Sequence, residues 1–331
     1  MRRPVLMLAL FLSLAAGAVA ETGQTLERGR ELTQRFYQER LDSLWEQFAP
    51  PMKEHFGDAE ALRLFRDQIG AQLGQEASLL SEGVDAAGDS QVYKRTARFE
   101  KASGPVLVQW SLDKEGAVTG FLVTPAEAAP TQYLEYETKA DLRLPFRGQW
   151  YVLWGGRTLS QNRHARVKDQ RFAYDFVIRE EGASHAGKGE RNADYYCFGQ
   201  PVLAPASGTV VAAVDGVEDN VPGNMNSRQP LGNYVIIDHG NDEFSFLAHL
   251  RRGSVEVEEG DQLEPGELLG DCGNSGHSSE PHLHYHLQTT SEPFKGEGLP
   301  AQFRHYAADG EPVARGEPVK GQVIRHSPPE R

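Results

Sequence analysis

The chain has little of what would staple or anchor a fold. It carries two cysteines, Cys197 and Cys272, in 331 residues. Neither sits in a CxxC pair, which argues against a zinc site built on thiolates. In an oxidising compartment the two are instead expected to close a disulfide. Cations are scarce as well: 34 Lys and Arg against 47 Asp and Glu leave a net charge of −13. That balance excludes nucleic acid as a partner, because such affinity comes largely from Lys and Arg on phosphates. Beyond residue 20 there is no apolar run of the about 20 residues a membrane span needs. There is also no HExxH, which rules out the helix-borne metal site and glutamate base of that motif.

The first twenty residues, "MRRPVLMLALFLSLAAGAVA", read as a signal peptide (1–20). Arg2 and Arg3 form a charged start, Val5 to Ala16 an apolar run, and Ala18-Val19-Ala20 a small-residue cleavage pattern. No cysteine follows, so a lipid anchor is not expected. The mature chain then starts at Glu21 and is exported, to the periplasm or the extracellular space, with a net charge of −15. No transmembrane segment remains after cleavage, and a monomer is expected.

The remainder has room for two domains at roughly 100–200 residues each. Leu32, Phe36, Leu41, Leu44, Trp45 and Phe48 recur at three- and four-residue steps, as do Leu62, Phe65, Ile69 and Leu73. These are helical periods, and Pro50-Pro51 separates them. After Gly74 the period falls to two, in "VYKRTARF" and "VLVQWSL". Helices followed by a strand meander give an α+β domain over 21–125, similar in pattern to cystatin/NTF2-like domains. Residues 126–149, opening "AEAAPTQ", read as a linker and lead-in strand. From 150 to 290 short strands alternate with glycine-rich turns, a mainly antiparallel β domain. The stretch 291–331 is a charged extension whose last ten or so residues are expected to be disordered.

Chemistry concentrates in "SEPHLHYHLQ" (279–288), where His282, His284 and His286 occupy alternate positions. On a strand, alternate side chains share a face, roughly 6.6 Å apart. One imidazole can then bind a metal while another reaches a water on it. "QNRHARVKDQRFAYDFV" adds His164 and Asp175, and "FSFLAHL" adds His249. A catalytic zinc takes three nitrogen or oxygen ligands and leaves one position open, and His, Asp and His would satisfy that.

The ordered series "GQPVLAPASGTVVAAVDG", "LGNYVIIDHG", "FLAHL", "EEGDQLEPGELLGDCGNSG" and "SSEPHLHYH" resembles the lysostaphin/LytM-type zinc endopeptidases, which cut peptidoglycan cross-bridges. The resemblance covers about 150–288 and implies a zinc-dependent endopeptidase of peptidoglycan peptides. The alternative is a regulator that keeps this fold without catalysis. The second histidine of the family's HxH is a zinc ligand, here His284, and the first is catalytic, here His282. The histidine of "AHL", His249, is the family's other catalytic histidine, and the aspartate ligand falls on Asp175. The family's usual first ligand lies four residues before that aspartate, where this chain has Arg171. His164, eleven residues before it, is the expected replacement, with His185 as runner-up. His286 stands where many members carry glutamate and shares the face of His282 and His284; it is expected to be a satisfied structural histidine, the alternative being a role in supporting a metal ligand. Two insertions, 179–200 and 215–232, are expected to wall the groove.

Overall fold

The structure, a computed structural model, describes residues 9–88 and 90–327, without the side chains of 9–21, 55 and 87. Residues 1–8, where the expected signal peptide begins, lie outside the described residues. No helix among those described is long and apolar enough to cross a membrane. The chain divides into two compact units, Met1–Glu127 and Ala128–Arg331.

The first unit is helices followed by a sheet. It contains α1 (Ala9–Tyr37), α2 (Leu41–Trp45), α3 (Pro50–Phe56) and α4 (Ala59–Leu73). Pro50 opens α3, where a missing N–H costs nothing. Asp58 caps α4 by accepting from the Ala61 N–H at 2.8 Å. The strands β1 (Glu76–Ala87), β2 (Ser90–Phe99), β3 (Val106–Leu112) and β4 (Val118–Pro125) form a sequential antiparallel meander. β3 alternates buried and half-buried residues, sending Val106, Val108, Trp110 and Leu112 into a core with Leu32, Phe36, Leu44 and Leu62. Trp110 stacks on Phe121 at 3.8 Å and donates its indole N–H to Thr33 at 2.9 Å, so its polar edge is satisfied inside that core.

The second unit is antiparallel β. Its strands are β5 (Gln149–Trp154), β6 (Tyr174–Val177), β7 (Pro201–Leu203), β8 (Gly208–Val214), β9 (Asn233–Asp238), β10 (Phe244–Leu250), β11 (Gln262–Leu263), β12 (Leu268–Asp271), β13 (Leu283–Gln288), β14 (Gly298–Leu299), β15 (Phe303–Ala308), β16 (Glu311–Gly316) and β17 (Val323–His326). Ten of them run in the order β11-β8-β9-β10-β13-β6-β5-β17-β15-β16, with β14 also on β13 and β12-β7 as a separate pair. The histidine strand β13 is therefore central, with β10 on one side and β6 on the other. Leu283, Tyr285 and Leu287 join the hydrophobic core, which leaves the even-numbered residues to the opposite face.

Two expectations about the ends of this unit are corrected. Residues 126–149 are no free linker: Leu142, Leu144 and Phe146 are buried in the same core, and buried Glu243 accepts from the N–H groups of Lys139 and Ala140 at 2.6 and 2.7 Å. The C-terminal stretch supplies β15 to β17, and β17 pairs with β5, so disorder of the last ten residues does not hold for 323–326. The reason is apolar area that composition hid: Phe303, Tyr306 and Ile324 are all buried among charged neighbours. Residues 328–331 lie outside the described residues.

Phe303 packs on Tyr174 and Tyr285, at ring separations of 5.6 and 5.3 Å. Phe303→Ala should cost about 3–5 kcal/mol and lower the urea midpoint of the whole β unit. An unchanged midpoint would mean the tail is not part of the cooperative core.

Candidate metal centre

β13 pairs with β6 in a register that sets His284 opposite Asp175. Directly opposed residues project on one face, so the two side chains meet. His284 Nδ1 lies 2.9 Å from Asp175 Oδ1. His164 arrives from a single 3-10 turn, Arg163–Arg166, and its Nε2 lies 3.0 Å from Asp175 Oδ2. The ligand atoms of His164, Asp175 and His284 all lie within 4.8 Å of one another. The turn is held by Asn162, which is fully buried and accepts from the His164 N–H at 3.0 Å. Its amide donates to the carbonyls of Gly156 and Ala173, at 3.0 and 2.9 Å. The longer path to this position thus has its own anchor. Arg171 instead donates to the Arg157 carbonyl at 3.4 Å and lies over Phe172. His185 packs on Tyr195 at 5.1 Å and is no part of the group.

His249 reaches the same face through an irregularity. Ala248 is the partner of His284, so regular alternation would turn the next residue away. Instead the β10–β9 pairing shifts between Ala248 and Leu250, and His249 has φ +64°. Such a bulge re-aims a side chain at a local conformational cost of order 1–3 kcal/mol. The His249 ring consequently lies 4.9 Å from that of His282 and 5.6 Å from that of His284.

Hydrogen bonds orient both rings. His249 Nδ1 donates to the Ser275 carbonyl at 2.8 Å, and His282 Nδ1 donates to the Glu280 carbonyl at 2.8 Å. A carbonyl only accepts, so each neutral imidazole keeps its proton on Nδ1 and a lone pair on Nε2. His282 Nε2 is buried with no hydrogen-bond partner, 3.6 Å from Asp175 Oδ1. A buried acceptor without a donor, beside a buried carboxylate, is costly unless a cation or a water fills the gap.

The electrostatics agree. Burial alone would raise the Asp175 carboxyl, but the neighbouring His164 and His282 outweigh it and hold the carboxyl well below its usual range. Burial lowers His284 from 6.5 to about 4, against the opposing pull of Asp175. Burial also lowers His249 well below its usual range, helped by His282 and His284. Burial thus holds His284 and His249 neutral at neutral pH beside an ionised Asp175, the protonation state a metal ligand requires. Two nitrogens, one carboxylate and an orphaned third nitrogen fit a metal ion with an open position.

Several contributors escaped the sequence reading. Asn162 lacked any motif. Arg163 was passed over, yet its guanidinium lies 2.9 Å from Asp175 Oδ2 with its side chain half exposed. His286 is buried with both ring nitrogens partnered, as a satisfied structural histidine would be, and its Nδ1 partner is His284 Nε2 at 3.0 Å. The two expected insertions are tied together by Asn274, whose amide donates to Asn192 Oδ1 at 3.0 Å and to the Asn220 carbonyl at 3.2 Å. The expected disulfide is absent: Cys197 and Cys272 are free buried thiols, and Cys197 Sγ donates instead to the Pro281 carbonyl at 3.0 Å.

The depressed histidines fix a sign for pH dependence. An imidazole with a lowered folded pKa binds its proton more readily in the unfolded chain, so stability falls as pH drops through the window between the two values. For His284 that window runs from 6.5 down to about 4. The Tm of the metal-free protein should therefore decline from pH 6.5 to 4.5, and added zinc should raise the Tm more at pH 7 than at pH 5. A Tm flat across that range would contradict neutral burial of these rings.

Residues 190–295 match the family model Peptidase family M23. That segment contains His249, His282 and His284, while His164 and Asp175 lie upstream of it. The chain is 34% identical over 96 residues to the Peptidoglycan DD-endopeptidase ShyA of Vibrio cholerae, covering 28% of this chain and 22% of that protein. It is 35% identical over 98 residues to the Peptidoglycan DD-endopeptidase ShyC of the same organism, covering 30% and 20%. The chain thus spans about a fifth of the length of these curated relatives. Among solved structures, the catalytic domain of lysostaphin from Staphylococcus simulans is 22% identical, with 46% of this chain and 89% of that one covered and a TM-score of 0.28. Within the β unit that carries the histidine face, residues 190–295 thus match Peptidase family M23.

Proposed function

We propose that this chain is an exported zinc-dependent endopeptidase that hydrolyses amide bonds in peptidoglycan peptides. The observation that carries the reading is the convergence of His164, Asp175 and His284 within 4.8 Å, beside the unpartnered Nε2 of His282. The family match and the substrate in the names of ShyA and ShyC supply the substrate class.

In this reading His164 Nε2, the Asp175 carboxylate and His284 Nδ1 hold the ion. A zinc ion held by these residues would supply Lewis acidity, acidifying a water to a pKa of about 7 and polarising the scissile carbonyl. His282 and His249 present Nε2 lone pairs toward the same space, each with its proton fixed on the far nitrogen by a backbone carbonyl. Either ring can accept a proton from the attacking water and return it to the leaving amine. A second ring that has become cationic can stabilise negative charge on the substrate oxygen. The Arg163 guanidinium adds a fixed positive charge at the edge of the site. The insertions 179–200 and 215–232, joined through Asn274, limit what enters.

Purified protein should carry one zinc and solubilise cell-wall sacculi. His284→Ala and His164→Ala should lose both zinc and lysis. His282→Ala should retain zinc and lose about 10²–10⁴-fold in rate, the usual share of a general base. A zinc-loaded parent protein with no action on sacculi would favour the regulator instead, and unchanged zinc affinity in His164→Ala would remove that residue from the ligand set.

A further inference from the structure

On β13 every residue of the outer face beyond His282 is polar and buried: His284, His286 and Gln288 are each at most 3% exposed. They form a single hydrogen-bonded row. His284 Nε2 lies 3.0 Å from His286 Nδ1, and His286 Nε2 lies 3.3 Å from Gln288 Oε1. The Gln288 Nε2 group in turn lies 2.6 Å from the Thr290 carbonyl and 3.0 Å from the Glu292 carbonyl.

The far end of the row fixes the direction of all of it. Both carbonyls only accept, so the Gln288 atom facing them must be the NH2, and its oxygen must face His286. His286 therefore donates from Nε2, which leaves Nδ1 with a lone pair. His284 must then donate from Nε2, which leaves its own lone pair on Nδ1. That lone pair points at Asp175 Oδ1, 2.9 Å away. Two acceptors at that distance repel unless a positive species lies between or beside them. We infer that the row Gln288–His286 is a positioning device that holds His284 in the one tautomer whose Nδ1 can coordinate a cation.

The inference rests on the metal reading above, and it gives His286 a role distinct from packing. Its ring also stacks on Phe246 at 4.5 Å, so a purely structural residue would be best replaced by another aromatic. The polar row demands the reverse, because Phe offers no acceptor to His284 Nε2 while Gln offers an acceptor oxygen and a donor for Gln288. Loss of such an outer hydrogen bond typically costs about 10–100-fold in metal affinity.

The test uses the full chain, with zinc affinity measured by chelator competition and ring-nitrogen NMR recorded on the metal-free protein. His286→Phe should bind zinc about 10–100-fold more weakly, and His286→Gln should stay within about threefold of the parent. In the metal-free parent, His284 should show a protonated Nε2 and a bare Nδ1. Equal affinity for His286→Phe and the parent, or His286→Gln falling as far as His286→Phe, would overturn the proposal, as would a proton on His284 Nδ1. A parent that binds no zinc would refute the metal reading alone, since the tautomer is read without metal. Zinc binding without peptidase action would leave the row standing.

Discussion

One fully buried carboxylate organises the second unit. Asp175 sits in the middle of an eleven-stranded sheet with no exposure, and nothing apolar could tolerate its charge there. A buried charge survives only when paired or coordinated. The chain answers with His164, His282 and His284 around it, and Arg163 at its solvent edge. They come from three local devices: the capped 3-10 turn that carries both His164 and Arg163, the approach to β13, and β13 itself. Burial keeps His284 neutral, so the imidazole directly opposite Asp175 brings it no charge, and a bound cation would complete the pairing. Stability and chemistry therefore meet at one group.

The sheet makes this arrangement rigid. β13 puts leucines and a tyrosine into the core on one face, and the same pleat obliges the histidines to share the other. Register with β6 then makes His284 and Asp175 direct neighbours, so their meeting depends on backbone pairing and not on flexible loops. Only His249 needs an exception, and a positive φ at a bulge provides it. Local strain at that one residue buys an additional imidazole for the site.

Much of this was readable from residues alone. Alternation at 282–288 gives the shared face, and the ordered glycine-rich motifs give the antiparallel β unit. Period-three and period-four spacing gives the helices before the first meander. What stayed hidden depends on tertiary context. Asn162 carries no pattern, because its importance lies in two carbonyls and one N–H that only the folded turn brings together. For His286 the shared face was legible, but a sequence cannot show that its Nδ1 meets His284 Nε2. The last ten or so residues looked disordered because the buried apolar Ile324 stands among polar and charged neighbours, and strand pairing with β5 is non-local. The disulfide expectation rested on compartment, whereas the Cys197 hydrogen is spent on the Pro281 carbonyl.

The central claim is that His164, Asp175 and His284 share one metal ion. Zinc-edge X-ray absorption, combined with anomalous scattering from a crystal of the zinc-loaded protein, tests it most directly. The account predicts a single strong peak about 2.0–2.2 Å from His164 Nε2, an Asp175 oxygen and His284 Nδ1, with no sulfur in the coordination shell. A peak bound elsewhere, or one lacking His164, would contradict it.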